Sequence, residues 1–286
     1  MARGNEGWLS GLAGVLIFSG SLPATRVAVQ GFSPLFLTSA RAVIAALLGG
    51  LLLLAFRQAR PQREDLVPLA IVSLGVVVGF PLLTALALQH VTSAHSIVFI
   101  GLLPLATALC AVARAGERPR PAFWLFSVAG AAAVAGFALG GGGALSPTGD
   151  LLMLAAVAVC GLGYAEGARL SRRLGGWQVI SWALVLSLPV MALMAFVTRP
   201  EGYGQIGGPA WMGLGYVALF SMMIGFVFWY RGLALGGIAR VGQLQLLQPF
   251  FGLALAALVL GEPVAWTMVA TALLVMGCVA GAKRFG

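Results

Sequence analysis

Polar residues in this chain come in short clusters, and apolar residues come in long, almost unbroken runs. Ten runs stand out, near 8–30, 33–56, 66–89, 92–114, 121–140, 150–170, 177–198, 210–231, 240–260 and 264–282. Each is close to the ~20 apolar residues that a helix needs to cross the hydrocarbon of a bilayer. The pattern predicts an all-α integral membrane protein of ten transmembrane helices. Links between the runs are short, so successive helices run antiparallel. Pro61 follows the second run, and Pro119 and Pro121 bracket the start of the fifth. Gly140 to Gly143, then Ser146, Pro147 and Thr148, separate the fifth run from the sixth. The link from Arg199 to Pro209 holds four glycines and two prolines. Such clusters break helices, and they leave no room for a soluble domain.

Composition agrees with a lipid solvent. Of the 286 residues 60% are hydrophobic and only 9% are charged, against roughly 25% charged in a soluble domain. Mean hydropathy is +1.00. The 40 glycines suit helices that pack closely in a membrane. Cys110, Cys160 and Cys278 all lie inside apolar runs with no metal-ligand spacing, so small core residues are the expectation, not disulfides or zinc. Glu6 and Trp8 interrupt the basic start of a signal peptide, so the first run is expected to stay in the membrane.

The net charge of +9 carries topology rather than nucleic-acid binding. With the N-terminus inside, one side of the membrane receives Arg3, Arg57, Arg60, Arg63, Arg114, Arg118, Arg120, Arg169, Arg172, Arg173, Arg231, Arg240, Lys283 and Arg284. These are 14 of the 17 basic residues. Arg199 falls in an opposite link, and Arg26 and Arg41 fall inside runs. The positive-inside rule then puts both termini in the cytoplasm of a bacterial-type inner membrane.

The two halves also align with each other. At an offset of 145 residues, Leu88 falls on Leu233, Ala94 on Ala239, Pro104 on Pro249, Ala111 on Ala256, Gly116 on Gly261 and Glu117 on Glu262. Five helices per half is an odd number, so the second half enters from the opposite side. Residues 1–145 and 146–286 are expected to form two inverted repeats, an arrangement common in secondary transporters. Pro104 and Pro249 would be paired hinges.

Gly20-Ser21, Pro34 followed by Arg41, and the two prolines with the Gly-Glu pairs Gly116-Glu117 and Gly261-Glu262 give the chain a familiar outline. It resembles the drug/metabolite transporter superfamily in its ten-helix branch of two EamA-type repeats, over nearly its whole length. Bacterial amino-acid exporters, those for aromatic amino acids included, belong to that branch. The resemblance implies export of amino acids or similar metabolites through a central cavity, with no cofactor. Many such repeats carry Trp-Gly-x-Asn in the first helix. Here Ser19-Gly20-Ser21-Leu22 and Gly161-Leu162-Gly163-Tyr164 stand there, so roles of that Trp or Asn do not transfer.

Several polar residues inside runs could line such a cavity. Arg41 either pairs or snorkels, or else faces a substrate. Arg26 lies nearer a helix end and is expected to snorkel. Glu166 can meet Arg169 or Arg173 on its own helix. His90 belongs to a link, and His95 is either a satisfied polar residue or a substrate contact. Gln243, Gln245 and Gln248 lead up to Pro249, with Gln245 and Gln248 on one face and a carbonyl freed near Gln245. They line a cavity or bond between helices. Trp229 and Tyr230 are ambiguous with interfacial anchors. The expected cavity is lined by the third, fourth, eighth and ninth helices through Phe80, Thr84, His95, Phe99, Phe226, Gln245 and Gln248, with Arg41 added from the second. Amides and apolar walls would suit a zwitterion with varied side chains. No Walker, Rossmann or zinc-hydrolase motif occurs. A membrane-embedded enzyme and a structural subunit remain the competing classes. Small-molecule substrate and lipid are the expected partners, nucleic acid is not, and oligomeric state is not legible.

Overall fold

The structure is a computed structural model that describes residues 2–115, 120–139, 146–236 and 241–285. Among the described residues every regular element is helical. The chain begins with α1 (Ala2–Ser19), α2 (Ser21–Ala28) and α3 (Pro34–Ala55). Next come α4 (Arg63–Val72) and α5 (Phe80–Ala87), then α6 (Ser93–Ile100), α7 (Leu103–Ala115) and α8 (Pro121–Leu139). The second half holds α9 (Pro147–Leu174), α10 (Gly176–Val197), α11 (Gly208–Gly215), α12 (Gly225–Gly236), α13 (Gln248–Leu260) and α14 (Trp266–Phe285).

Seven stretches among the described residues are long and apolar enough to cross a membrane. They are Glu6–Ala28, Pro34–Ala55, Arg63–Ala87, Ser93–Cys110, Pro147–Leu174, Gly176–Val197 and Gly208–Gly232. Shorter apolar helices occupy the fifth, ninth and tenth runs, at Pro121–Val134, Leu244–Leu260 and Trp266–Gly281. The ninth run departs from α-helix at its start and ends where its apolar stretch ends. Gly242–Leu247 winds as a 3₁₀ helix, and Gly261 closes α13 in the left-handed region at φ 63°. A glycine adopts that φ without the Cβ penalty.

Helix starts follow local chemistry. Ser33 caps α3 by accepting from Phe36 N at 3.2 Å, with Pro34 in the first turn. Thr92 caps α6 from His95 N at 3.2 Å, and Ser146 caps α9 from Gly149 N at 3.3 Å. Each satisfies an amide that the helix itself leaves open. Large apolar side chains stay exposed on outward faces, among them Leu47, Leu51 and Leu54 on α3 and Val190, Leu193 and Phe196 on α10. In lipid such exposure costs nothing, so close packing, not burial from water, must hold the helices together. The approach of Gly75 to α9 shows how close that packing is. A Cβ there would lie 2.6 Å from Val159 O and 3.0 Å from Gly163 N.

Two kinds of distortion recur in the repeat register. Ser73–Gly79, between α4 and α5, and Tyr216–Ile224, between α11 and α12, are both π-helical. The break between α6 and α7 comes just before Pro104, and the 3₁₀ stretch comes just before Pro249. Proline removes an N–H donor and leaves the preceding turn to rearrange. The first crossing breaks at Gly20, whereas α9 is continuous through the register-related position.

At one end of the bundle Arg173 pairs with Glu64 and Asp65, Arg169 with Glu166 at 3.0 Å, and Arg231 with Glu6 at 3.8 Å. The local pairing expected for Glu166 is therefore made with Arg169, while Arg173 reaches α4. His90 is exposed in a link as expected. Arg26 donates to Leu88 O and lies 4.0 Å from Glu262.

Candidate functional site

A small cavity of about 30 Å³ lies among helices of both halves. That is room for roughly two water molecules. Nine of its lining residues come from the first half: Phe18, Ser21, Leu22, Arg41, Val76, Phe80, Pro81, Ile100 and Leu103. Cys160, Tyr164, Ser221, Phe226 and Gln248 come from the second. Three of these pairs are register mates: Val76 with Ser221, Pro81 with Phe226, and Leu103 with Gln248.

Its polar floor is built at the Gly20 break. A Cβ on Gly20 would lie 2.8 Å from Tyr216 Cζ, so glycine lets that ring seat against the break without shifting. The Tyr216 hydroxyl donates to Ile17 O at 2.8 Å, occupying a carbonyl at the end of α1. Ser21 then starts α2 and donates to Ser221 Oγ at 2.7 Å. Arg41 Nη2 donates to the same Ser221 Oγ at 3.3 Å.

Arg41 is only 4% exposed, and its Nε has no hydrogen-bond partner. No ion pair to it exists among the described residues. Asp150 pairs with His95, Glu166 with Arg169, Glu64 and Asp65 with Arg173, Glu6 with Arg231, and Glu262 lies near Arg26. An intramembrane guanidinium costs about 2.5–3.5 kcal/mol even on the mildest scale. One serine hydroxyl does not offset a full charge.

On one side the cavity is walled by rings. Phe226 stands edge-on to Phe18 at 5.0 Å and to Tyr164 at 6.0 Å, and lies 5.4 Å from Tyr230. Trp229 and Tyr230 are 2% and 0% exposed, so they belong to this core cluster and not to an interfacial belt.

Of the residues expected to line a cavity, Phe80, Phe226, Gln248 and Arg41 do so, and Thr84, His95, Phe99 and Gln245 do not. Thr84 turns its hydroxyl back to Phe80 O at 2.8 Å and Pro81 O at 3.1 Å. His95 and Phe99 share a face, ring centroids 5.6 Å apart, but Asp150 holds that face toward α9 through a 2.6 Å contact with His95 Nε2. Ile100 and Leu103 take the cavity instead. Gln245 is buried with its side-chain amide nitrogen unpartnered, and its backbone carbonyl accepts from Gln248 N within the 3₁₀ turn, so Pro249 leaves that carbonyl engaged. Pro104 and Pro249 each sit in the first turn of the helix after a break. The Gln243 side chain, Gly116-Glu117 and Arg240 lie outside the described residues. Ser21, Tyr164 and Ser221 were missed. Their one signal is a lone polar group in mid-run.

A polytopic helical bundle around a small, mostly apolar cavity with a few polar groups in its wall is the form of a membrane transporter. The chain belongs to the EamA-like transporter family, whose profile matches residues 5–139 and again 147–282. It is 66% identical over 285 residues to "Uncharacterized transporter YdeK" of Bacillus subtilis, covering 100% of this chain and 99% of that one. It is 26% identical over 255 residues to "Probable terminal-alkyne amino-acid exporter" of Streptantibioticus cattleyicolor, covering 87% and 83% respectively. A solved crystal structure shares the fold at a TM-score of 0.69 and 21% identity, covering 99% of this chain and 100% of that one.

Proposed function

We propose that this protein exports amino acids or similar small metabolites by alternating access, acting as a secondary transporter or facilitator and not as an enzyme. The carrying observation is the small cavity lined by both halves, with polar groups from each. Its size is far below the roughly 300–1,000 Å³ of a ligand site, which fits a state closed around the centre. The likeness to an amino-acid exporter supports the substrate class.

In this reading the chain crosses the membrane ten times, as inverted repeats 1–145 and 146–286 with both termini in the cytoplasm. Paired π segments and paired breaks before Pro104 and Pro249 support the repeat. Such points are where packed helices bend, so the two prolines serve as hinges. The clustering of arginine-carboxylate pairs at one end supports the orientation. The test is flux in proteoliposomes loaded with a panel of labelled amino acids. Protein-dependent efflux of at least one is expected, and none for the whole panel would sink the proposal.

A further inference from the structure

We infer that the central cavity is a receptor for the head group of an α-amino acid, in which Arg41 takes the carboxylate and Gln248 Oε1 takes the ammonium. This rests on the proposed export function and adds to it the polarity of the site.

Two unpartnered atoms of opposite character carry the inference. Arg41 is buried, lines the cavity, and has an Nε–H with no acceptor. Its charge is met only by the Ser221 hydroxyl, which already receives the Ser21 hydrogen. In the wall of the same cavity Gln248 Oε1 is buried and has no donor. A buried polar atom left without a partner costs about 1–3 kcal/mol, and more beside a charge. One guanidinium and one amide oxygen therefore wait for a ligand that brings both an anion and a donor.

Ligand classes divide on that pair. An amine alone would bring a cation against Arg41. A carboxylate alone would satisfy Arg41 and leave Gln248 Oε1 dry. A phosphate dianion would meet a single positive charge and an amide oxygen that repels it. An α-amino acid carries its carboxylate and its ammonium on one shared carbon and satisfies both. Phe18, Phe80 and Phe226 then face its side chain with rings that offer no hydrogen bond. This suits apolar and aromatic side chains and leaves charged ones without a partner.

The discriminating experiment compares L-phenylalanine, phenethylamine and 3-phenylpropionate, which share a side chain and differ only in the head group. Binding to the purified full-length protein is read by thermal shift in detergent. Competition against labelled L-phenylalanine is read separately, by counterflow in proteoliposomes. In the parent each truncated analogue should bind roughly tenfold or more weakly than phenylalanine, the loss of one charge-assisted hydrogen bond. Gln248→Leu should weaken phenylalanine and leave 3-phenylpropionate unchanged. Arg41→Gln should weaken both of these and spare phenethylamine, with Arg41→Lys recovering part of the loss.

Equal binding of phenylalanine and phenethylamine by the parent overturns the receptor, and that result needs no variant to fold. So does an Arg41→Gln protein that keeps its full affinity for 3-phenylpropionate, and so does a parent that binds no amino acid of the panel. Head-group discrimination in detergent without any flux leaves the receptor standing and removes export. Flux without discrimination does the reverse.

Discussion

His95 Nε2 lies 2.6 Å from Asp150 Oδ1, in a buried contact that ties the first turn of α6 to the first turn of α9. Neither residue lines the cavity. The His95 ring packs instead with Phe99 and Phe137, centroids 5.6 and 4.9 Å away. The pair is a strut between the two halves.

Removing one partner should therefore act on stability and not on selectivity. Asp150→Asn keeps the volume but leaves His95 with a weaker acceptor. Breaking a buried pair costs about 3–5 kcal/mol, so Asp150→Ala should lower the unfolding midpoint in detergent clearly, with Asn intermediate. Counterflow of the surviving folded fraction should keep the parental ranking of amino acids. A changed ranking at parental stability would mean that His95 touches substrate after all.

The close approach of Gly75 to α9 gives a packing test with an internal control. Alanine at 75 puts its Cβ against Val159 O and the Gly163 backbone, which cannot move aside as a side chain can. Overpacking of this kind costs about 1–3 kcal/mol. Gly136 has nothing within 4 Å of the same added atom, so Gly136→Ala should be silent. Thermal unfolding of the two variants side by side decides it. Equal midpoints would show that α9 can shift freely at this contact.

Most of the helix layout was legible in the sequence, because run length and breaker clusters are local signals. Ser33-Pro34, Ser146-Pro147 and Gly261 mark ends that the structure uses. The site was legible only in part. Phe80, Phe226, Gln248 and Arg41 could be found by asking which polar or bulky residues sit deep in a run. Ser21, Tyr164 and Ser221 depend on which helices meet, and no local pattern encodes that. His95 and Phe99 were correctly placed on one face, but the direction of that face is set by Asp150, more than fifty residues away. The register also held information that single matches hid. Val76 opposes Ser221 and Leu103 opposes Gln248, so the two halves share cavity positions while the second supplies the polar member.

Orientation is tested by labelling. With the three native cysteines replaced by alanine, a cysteine at Gln205 should react with an impermeant maleimide in intact cells. One at Gln62 should react only after the cells are opened. Both positions lie in links outside the regular α-helices, so access and not burial determines the result. The opposite pattern would reverse the assignment of both termini.

The last prediction concerns Glu262, whose neighbour Gly261 ends α13 and whose carboxylate reaches the start of α6. It accepts from Ser93 N at 3.1 Å, Ala94 N at 2.8 Å and Ser93 Oγ at 2.7 Å, with Arg26 Nε 4.0 Å away. These amides belong to the first turn of a helix, where the open N–H groups and the helix dipole both favour an anion. The contact therefore fastens the end of the ninth run to the beginning of the fourth on the side of the bundle away from Arg173. A transporter that alternates must loosen one end of its bundle at a time, and a charge-assisted clasp of this kind is worth about 1.5–3 kcal/mol per hydrogen bond to the charged group. Glu262→Gln retains an acceptor without the charge, and Glu262→Ala retains nothing. Amide exchange at Ser93 and Ala94 should accelerate in the order parent, Gln, Ala, by roughly tenfold per 1.4 kcal/mol lost, while amides of α3 and α10 keep their rates. Exchange that rises equally across all helices would identify Glu262 as a general stabiliser of the fold. Unchanged rates at Ser93 and Ala94 would show that the clasp does not hold this end closed.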